Sequence, residues 1–189
     1  MARPARTPRL IVGISAASGS IFGVEFLKRA PGEKYLIVSD WGRAVLKMEE
    51  GLTPRSLAPH AKKIFSDDDL AAPFASGSNP FDAFVVIPCS LSTLAKINAG
   101  ISDTLITRVA QVALKERRRM VLALRETPLP TNALENAARL SRDGVIVMPI
   151  SPPWYNKPRT TEDVVAGFVD KVLGVLGYPA GDGWREDKL

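Results

Sequence analysis

The chain has 189 residues, 46% of them apolar, and a net charge of +5, which suits a single domain around one core. The charge is modest and spread along the chain without aromatic–basic repeats, so it does not point to nucleic acid and fits anionic small molecules equally well. One cysteine, Cys89, excludes an internal disulfide, and one histidine, His60, leaves no Cys/His cluster for zinc.

No apolar stretch reaches the ~18 residues of a membrane span. The opening MARPARTPR carries charge without the hydrophobic segment of a secretory signal, so residues 1–9 are expected to be a flexible basic arm on a cytoplasmic protein. Five apolar runs follow in order: Leu10 to Ile14, Tyr35 to Val38, Phe84 to Ile87, Met120 to Leu124 and Val145 to Met148. Strands that are apolar throughout belong in a sheet buried on both faces. Between them, helical spacing connects Ile21, Val24 and Leu27, then Leu105, Ile106, Val109, Val112 and Ala113. The segment from Thr53 to Asn79 has no such period and is expected to cross the surface before the third strand.

A last helix is capped by Thr160, takes Asp163 in its first turn, and carries an apolar stripe through Val164, Phe168, Val169, Val172, Leu173 and Leu176 before Gly177 ends it. Strands alternating with helices predict a three-layer, doubly wound α/β domain over 10–177, its parallel strands joined by right-handed crossovers. A tail, 178–189, completes the chain, and its Trp184-Arg185 pair could fold over a neighbouring site or remain unstructured.

Ligands of such sheets bind beyond the carboxyl ends of the strands, and four turns there draw notice. The first, Gly13 to Ser20, is built of small residues that let the backbone approach a ligand, and the next helix offers its first N–H groups to a phosphate or a flavin edge. It is not the dinucleotide pattern G-x-G-x-x-G. Ser39 follows the second strand, and Pro88-Cys89-Ser90-Leu91-Ser92-Thr93 follows the third. Such hydroxyls are also ordinary helix caps, but three on one sheet edge favour a polar ligand. Arg125 and Glu126 follow the fourth strand, where Pro128 fixes the turn: the arginine can hold a phosphate as a two-pronged donor, and the carboxyl can move a proton. The preceding cations, Lys115 to Arg119, taken alone read as the decoration of a helix C-terminus. Cys89 reads as core and His60 as surface.

Five segments in order, from Leu10 to Gly177, resemble the UbiX/Pad-type flavin prenyltransferases. GISAASGSIFG at 13–23 is similar to that family's G-x-[ST]-G-A-S-G turn, and SDWGRAVLKMEEG at 39–51 to its S-x-x-A with a following glutamate. ASGSNPFDAFVVIPCSLSTLAKINAG at 75–100 and TRVAQVALKERRRMVLALRETPL at 107–129 are long matches, and PISPPWYNKP at 149–158 resembles its P-x-x-P-x-[FY]-Y-x-x-P segment. The resemblance implies a Rossmann/flavodoxin-like fold and a metal-free transfer of a dimethylallyl group from dimethylallyl phosphate to reduced FMN, by C–N alkylation and ring closure. The product is the cofactor of UbiD-type decarboxylases. It further implies that Ala16, Ala17, Ser18, Ser39, Ser90, Leu91, Ser92, Thr93 and Arg125 hold FMN, with Arg108 beside the flavin and the substrate phosphate. Lys115, Arg125, Tyr155 and Lys171 would grip the donor phosphate. Glu126 and Glu49 would serve the acid–base steps, with Ser18 near the reacting flavin. A homo-oligomer, typically a dodecamer with sites at subunit interfaces, is implied as well.

Four departures bear on this. Ala16 stands where that family usually has glycine, Lys171 where it has arginine, Asn79 where an aromatic follows A-S-G-S, and Gln111 where R-A-A-D-V has aspartate. Two other readings stay open: a non-prenylating FMN-binding accessory subunit of a decarboxylase, and a flavin-dependent cysteinyl decarboxylase. The second lacks its helix-borne histidine and P-x-M-N-x-x-M-W segment.

Overall fold

A computed structural model of the chain describes residues 7–181; the expectations for the start of the basic arm and for Trp184-Arg185 lie outside that range. Six parallel strands form one sheet in the order β3-β2-β1-β4-β5-β6. In chain order the elements are β1 (Arg9–Ile14), α1 (Ser20–Arg29), β2 (Glu33–Val38), α2 (Asp40–Glu50), β3 (Lys63–Ser66), β4 (Ala83–Cys89), α3 (Leu91–Asn98), α4 (Leu105–Lys115), β5 (Arg119–Leu124), α5 (Thr131–Arg142), β6 (Ile146–Pro149) and α6 (Thr161–Val175). Three short 3-10 helices, Pro54–His60, Pro73–Ala75 and Trp154–Asn156, lie in the connections.

The fold is the expected doubly wound α/β sandwich, with one strand more than the apolar runs indicate. β3 lies inside the segment expected to be irregular and pairs Tyr35 to Val38 with Lys63 to Ser66. It is an edge strand of four residues with only Phe65 buried, too short and too polar for a period to register. The other strands begin or end one or two residues beyond their apolar runs: Arg9 and Glu33 already pair in β1 and β2, and Pro88 and Cys89 still belong to β4.

Side chains alternate between the two faces of the sheet. One face packs Ile11, Ile37, Phe84, Val86 and Leu122 against α4 residues Ile106, Val109, Ala110 and Ala113 and α3 residues Leu94 and Ile97. The other packs Leu10, Val12, Leu36, Val85 and Val121 against α1 residues Val24, Phe26 and Leu27, and α6 residues Phe168, Val169 and Val172. Phe22 meets Phe168 edge to face at 5.4 Å, and burying a Phe side chain fully is worth about 1.5–3 kcal/mol. The α6 stripe is as its spacing predicts, with Val165 rather than Val164 as its first buried member. Thr160 and Asp163 cap it reciprocally, and Gly177 adopts φ 82° just after it. Among the described residues no helix is long and apolar enough to cross a membrane.

α1 crosses the sheet closely at Gly23, where an added Cβ would collide with the Ile87 carbonyl oxygen and touch Ile14. Gly23→Ala is therefore expected to destabilise the fold by about 1–3 kcal/mol through overpacking, read as a lower urea midpoint; an unchanged midpoint would show that α1 can retreat from β4.

Candidate functional site

The order of the strands reverses direction between β1 and β4, the position at which such sheets open a crevice at their carboxyl edge. Ser15 ties the two sides of that crevice together. Its buried hydroxyl donates to the Pro88 carbonyl at 3.0 Å and accepts from the Ser90 N–H at 2.8 Å, while its own N–H reaches Pro88 O. The turn after β1 and the turn after β4 are thereby held to each other.

Above Ser15 lies a cleft of about 310 Å³. Three helices begin on it: Ser39 caps α2 by accepting from Gly42 N, Ser90 caps α3 by accepting from Thr93 N, and Thr104 caps α4 in a reciprocal box with Thr107. Helix starts carry partial positive charge, so the cleft concentrates three of them with the hydroxyls of Ser92 and Thr93. Ala16 lines it from the β1 turn, and Trp41 forms an exposed rim. Ala16 is not among the residues with positive φ, so the turn does not need glycine there, and its methyl group takes up space facing the cleft. Ala17 is buried behind it and Leu91 half-buried.

Asp67, Lys96, Thr104 and Thr107 also line the cleft and were not among the residues expected from sequence. The Thr104-x-x-Thr107 cap was a readable signal; Asp67 and Lys96 had none. Burial pushes the Asp67 carboxyl up from its ordinary value, against the Ile106 N–H and Thr104 hydroxyl that favour its anion. Asp67 is committed to the start of α4, accepting from Ile106 N at 2.8 Å.

The start of α1 is not open to a ligand as its small-residue turn suggests. Glu49, from the end of α2, accepts from Gly19 N at 2.9 Å and from Ser20 N and Ser20 Oγ at 2.9 Å each. Burial raises its carboxyl, but the Ser18 and Ser20 hydroxyls and the Ser20 and Gly19 N–H groups outweigh this and hold it below the usual carboxylate value. Glu49 is thus an anion at neutral pH, a proton acceptor that touches Ser18.

Beyond Gly19, on the β5 side, stands Arg125. Its N–H donates to Cys89 O at 3.1 Å, and its side chain passes within about 4.0 Å of the position a Gly19 Cβ would take. Its Nε is buried and has no hydrogen-bond partner. A buried guanidinium nitrogen left without an acceptor is costly. Glu126 is exposed beside it, with Oε1 accepting from Thr127 N at 3.1 Å.

The other expected residues do not join this cleft within one chain. Arg108 donates from Nε to Ala75 O at 2.9 Å. Lys115 ends α4 at the opposite edge of the sheet, paired with Glu116; α4 has 11 residues and so is about 16 Å long. Tyr155 and Lys171 share a separate pocket of about 210 Å³ between α6 and the Trp154–Asn156 turn. Asn79 closes its own loop through Pro73 O, and Gln111 ties α4 to α3 through Ile97 O, roles that need neither an aromatic nor an acid.

The profile of the Flavoprotein family matches residues 2–173. The flavin prenyltransferase UbiX of Thermoplasma acidophilum is 46% identical over 170 residues, which cover 89% of this chain and 94% of that protein. The chain belongs to the UbiX family of flavoproteins. The fold agrees: a crystal structure of AnUbiX (PadA1) in complex with FMN and dimethylallyl pyrophosphate superposes with a TM-score of 0.89 at 36% identity, covering 95% of this chain and 100% of that one. A dodecameric FMN-dependent UbiX-like decarboxylase from Escherichia coli O157:H7 superposes with a TM-score of 0.88 at 41% identity, covering 93% and 100%. The chemistry of this edge suits a flavin mononucleotide: a cleft lined by hydroxyls and helix starts fits a phosphate.

Because the Glu49 pKa is lowered in the fold, its contribution to stability is complete at neutral pH and lost as pH falls through that lowered value. Glu49→Gln is expected to lose on the order of 1 kcal/mol at pH 7, as for loss of a helix cap. Urea titrations of the two proteins should converge as pH falls from the ordinary carboxylate range through that lowered value; a difference independent of pH would remove the carboxylate's charge from the account.

Proposed function

We propose that this chain moves a dimethylallyl group from dimethylallyl phosphate to reduced FMN in the cytoplasm, and that its product serves a UbiD-type decarboxylase. The observation that carries the reading is the buried, unpartnered Arg125 Nε beside Glu126 and Gly19, next to a cleft ringed by helix starts. Ser39, Ser90, Ser92 and Thr93 would hold the cofactor phosphate, and the Ala16-Ala17-Ser18 turn, Leu91, Arg108 and Arg125 the rest of it. Reduced FMN, when bound, supplies the nucleophile that receives the allyl group.

The chain's own residues handle charge and protons. Transfer breaks the donor's C–O bond with the electron pair leaving on the phosphate oxygen, and Glu126 gives that oxygen a proton. Arg125 offsets the charge that builds there. Glu49, anionic and in contact with Ser18, would accept through that hydroxyl the proton released on ring closure. Lys171 and Tyr155 would grip the donor phosphate with Lys115. Since these cations lie apart from the cleft in one chain, the reading requires copies of the chain to meet around each site, as an assembly like the E. coli relative's dodecamer would allow.

Incubation with reduced FMN and dimethylallyl phosphate, followed by mass analysis of the flavin, tests the reading; a flavin of unchanged mass would defeat it. Glu126→Gln is expected to keep FMN and lose ~10²- to 10⁴-fold in transfer rate, the usual contribution of a general acid. Full activity would remove Glu126 from the chemistry, and loss of FMN would make its role structural.

Lys171→Ala should weaken donor binding and leave FMN affinity unchanged, whereas Lys171→Arg, which offers a planar fork in place of a point charge, should tighten it. Donor titrations of both variants decide: unchanged affinity in Lys171→Ala would reduce this lysine to a surface residue of α6.

A further inference from the structure

Among the described residues, Lys96 is the one cation lining the cleft. It lies on α3 one turn beyond Ser92 and Thr93, on the same helix face. Its ammonium is held at the rim by Asp103, Nζ to Oδ2 2.6 Å, in the connection that leads into the α4 cap. The pair is partly solvent-exposed, with side chains at 36% and 50%, so its own contribution to stability is small. What remains is placement: a lysine in one lining with six hydroxyl side chains and three helix starts, on a flexible stem that can swing a strongly hydrated point charge inward.

The charges around it make that placement matter. Asp40 and Asp67 also line the cleft, so a phosphate entering it meets carboxyls as well as hydroxyls. Asp40 is largely exposed and near Arg43, and Asp67 is engaged by Ile106 N. The N–H groups at the start of α1 are taken by Glu49, and Arg125 stands on the other side of the β1 turn, outside the cleft lining. Among the described residues, a dianionic phosphate seated between Ser39, Ser90, Ser92 and Thr93 therefore has Lys96 as its one cation within the lining.

We propose that Lys96 is the phosphate-positioning residue of this cleft, exchanging or sharing Asp103 for the terminal phosphate of the flavin mononucleotide. This rests on the reading that FMN occupies the cleft. The role makes the chain select the phosphorylated flavin over riboflavin, whose ring and ribityl chain are identical but which lacks the phosphate.

The test is titration of the flavin-free protein with FMN and, separately, with riboflavin, followed by quenching of flavin fluorescence, in the wild type, Lys96→Met and Lys96→Arg. Losing one charge-assisted contact should cost Lys96→Met about 10- to 100-fold in FMN affinity with riboflavin affinity unchanged, so the preference for FMN collapses. Lys96→Arg should keep most of it. If Lys96 only braces α3 against the α4 cap, Lys96→Met lowers the melting temperature and the preference for FMN survives, which overturns the proposal. A wild type that binds neither flavin overturns the cofactor reading beneath it instead.

Discussion

The Ser15 hydroxyl is the contact on which the carboxyl edge of the sheet is organised. It donates to one turn and accepts from the same turn two residues on, so the end of β1 and the end of β4 cannot separate without stranding a buried carbonyl and a buried N–H. These are the two strands from which the chain departs in opposite directions, the point where the sheet splays into a crevice. With that gap fixed, Ala16 after β1 and the hydroxyls after β2 and β4 face a common space. Sequence separation hides the contact: Ser15 and Pro88 are 73 residues apart.

The distribution of charge around this edge is ordered by which helix starts are already satisfied. α1 is neutralised from within the chain by Glu49, and α4 by Asp67 together with its threonine box. α2 and α3 begin with serine caps that have acceptor and donor capacity left for a ligand. At the opposite edge the cations are spent on the chain itself. Arg118 donates to the Gly77 and Asn79 carbonyls and lies over the Phe81 ring, and Arg119 donates to Leu176 O at the end of α6. The cation-rich run before β5 is thus largely a fastening of strand starts to helix ends.

Much of this was legible in the sequence for a physical reason. Strands buried on both faces are written as unbroken apolar runs, and a helix that follows one is announced by a hydroxyl at its cap, so Ser39, Ser90 and Thr160 marked their helices. β3 leaves no such run because an edge strand of four residues buries only Phe65. The Glu49 contact was unreadable for another reason: its partners are 29 and 30 residues away and are reached only when α2 packs beside α1. Lys115 was readable as part of a motif but not as a place. A helix returning from the carboxyl edge delivers its last residue to the amino edge, and the motif does not record which edge matters. Lys96 is not legible in the sequence because a lysine on a short helix looks like any solvated residue until the α3–α4 connection folds back to face it.

Cys89 carries a consequence of a different kind. It is the only thiol in the chain, it is wholly buried at the end of the central strand β4, and burial pushes it up to about 12. Alkylation proceeds through the thiolate, so in the folded chain almost none of the reactive form exists, although the next residue, Ser90, borders the cleft. An allylic electrophile in that cleft would meet no reactive thiolate from Cys89. The same silence makes the thiol a reporter: a reagent that labels it does so only when the centre of the sheet has opened, and the rate of labelling then measures how often the whole domain comes apart.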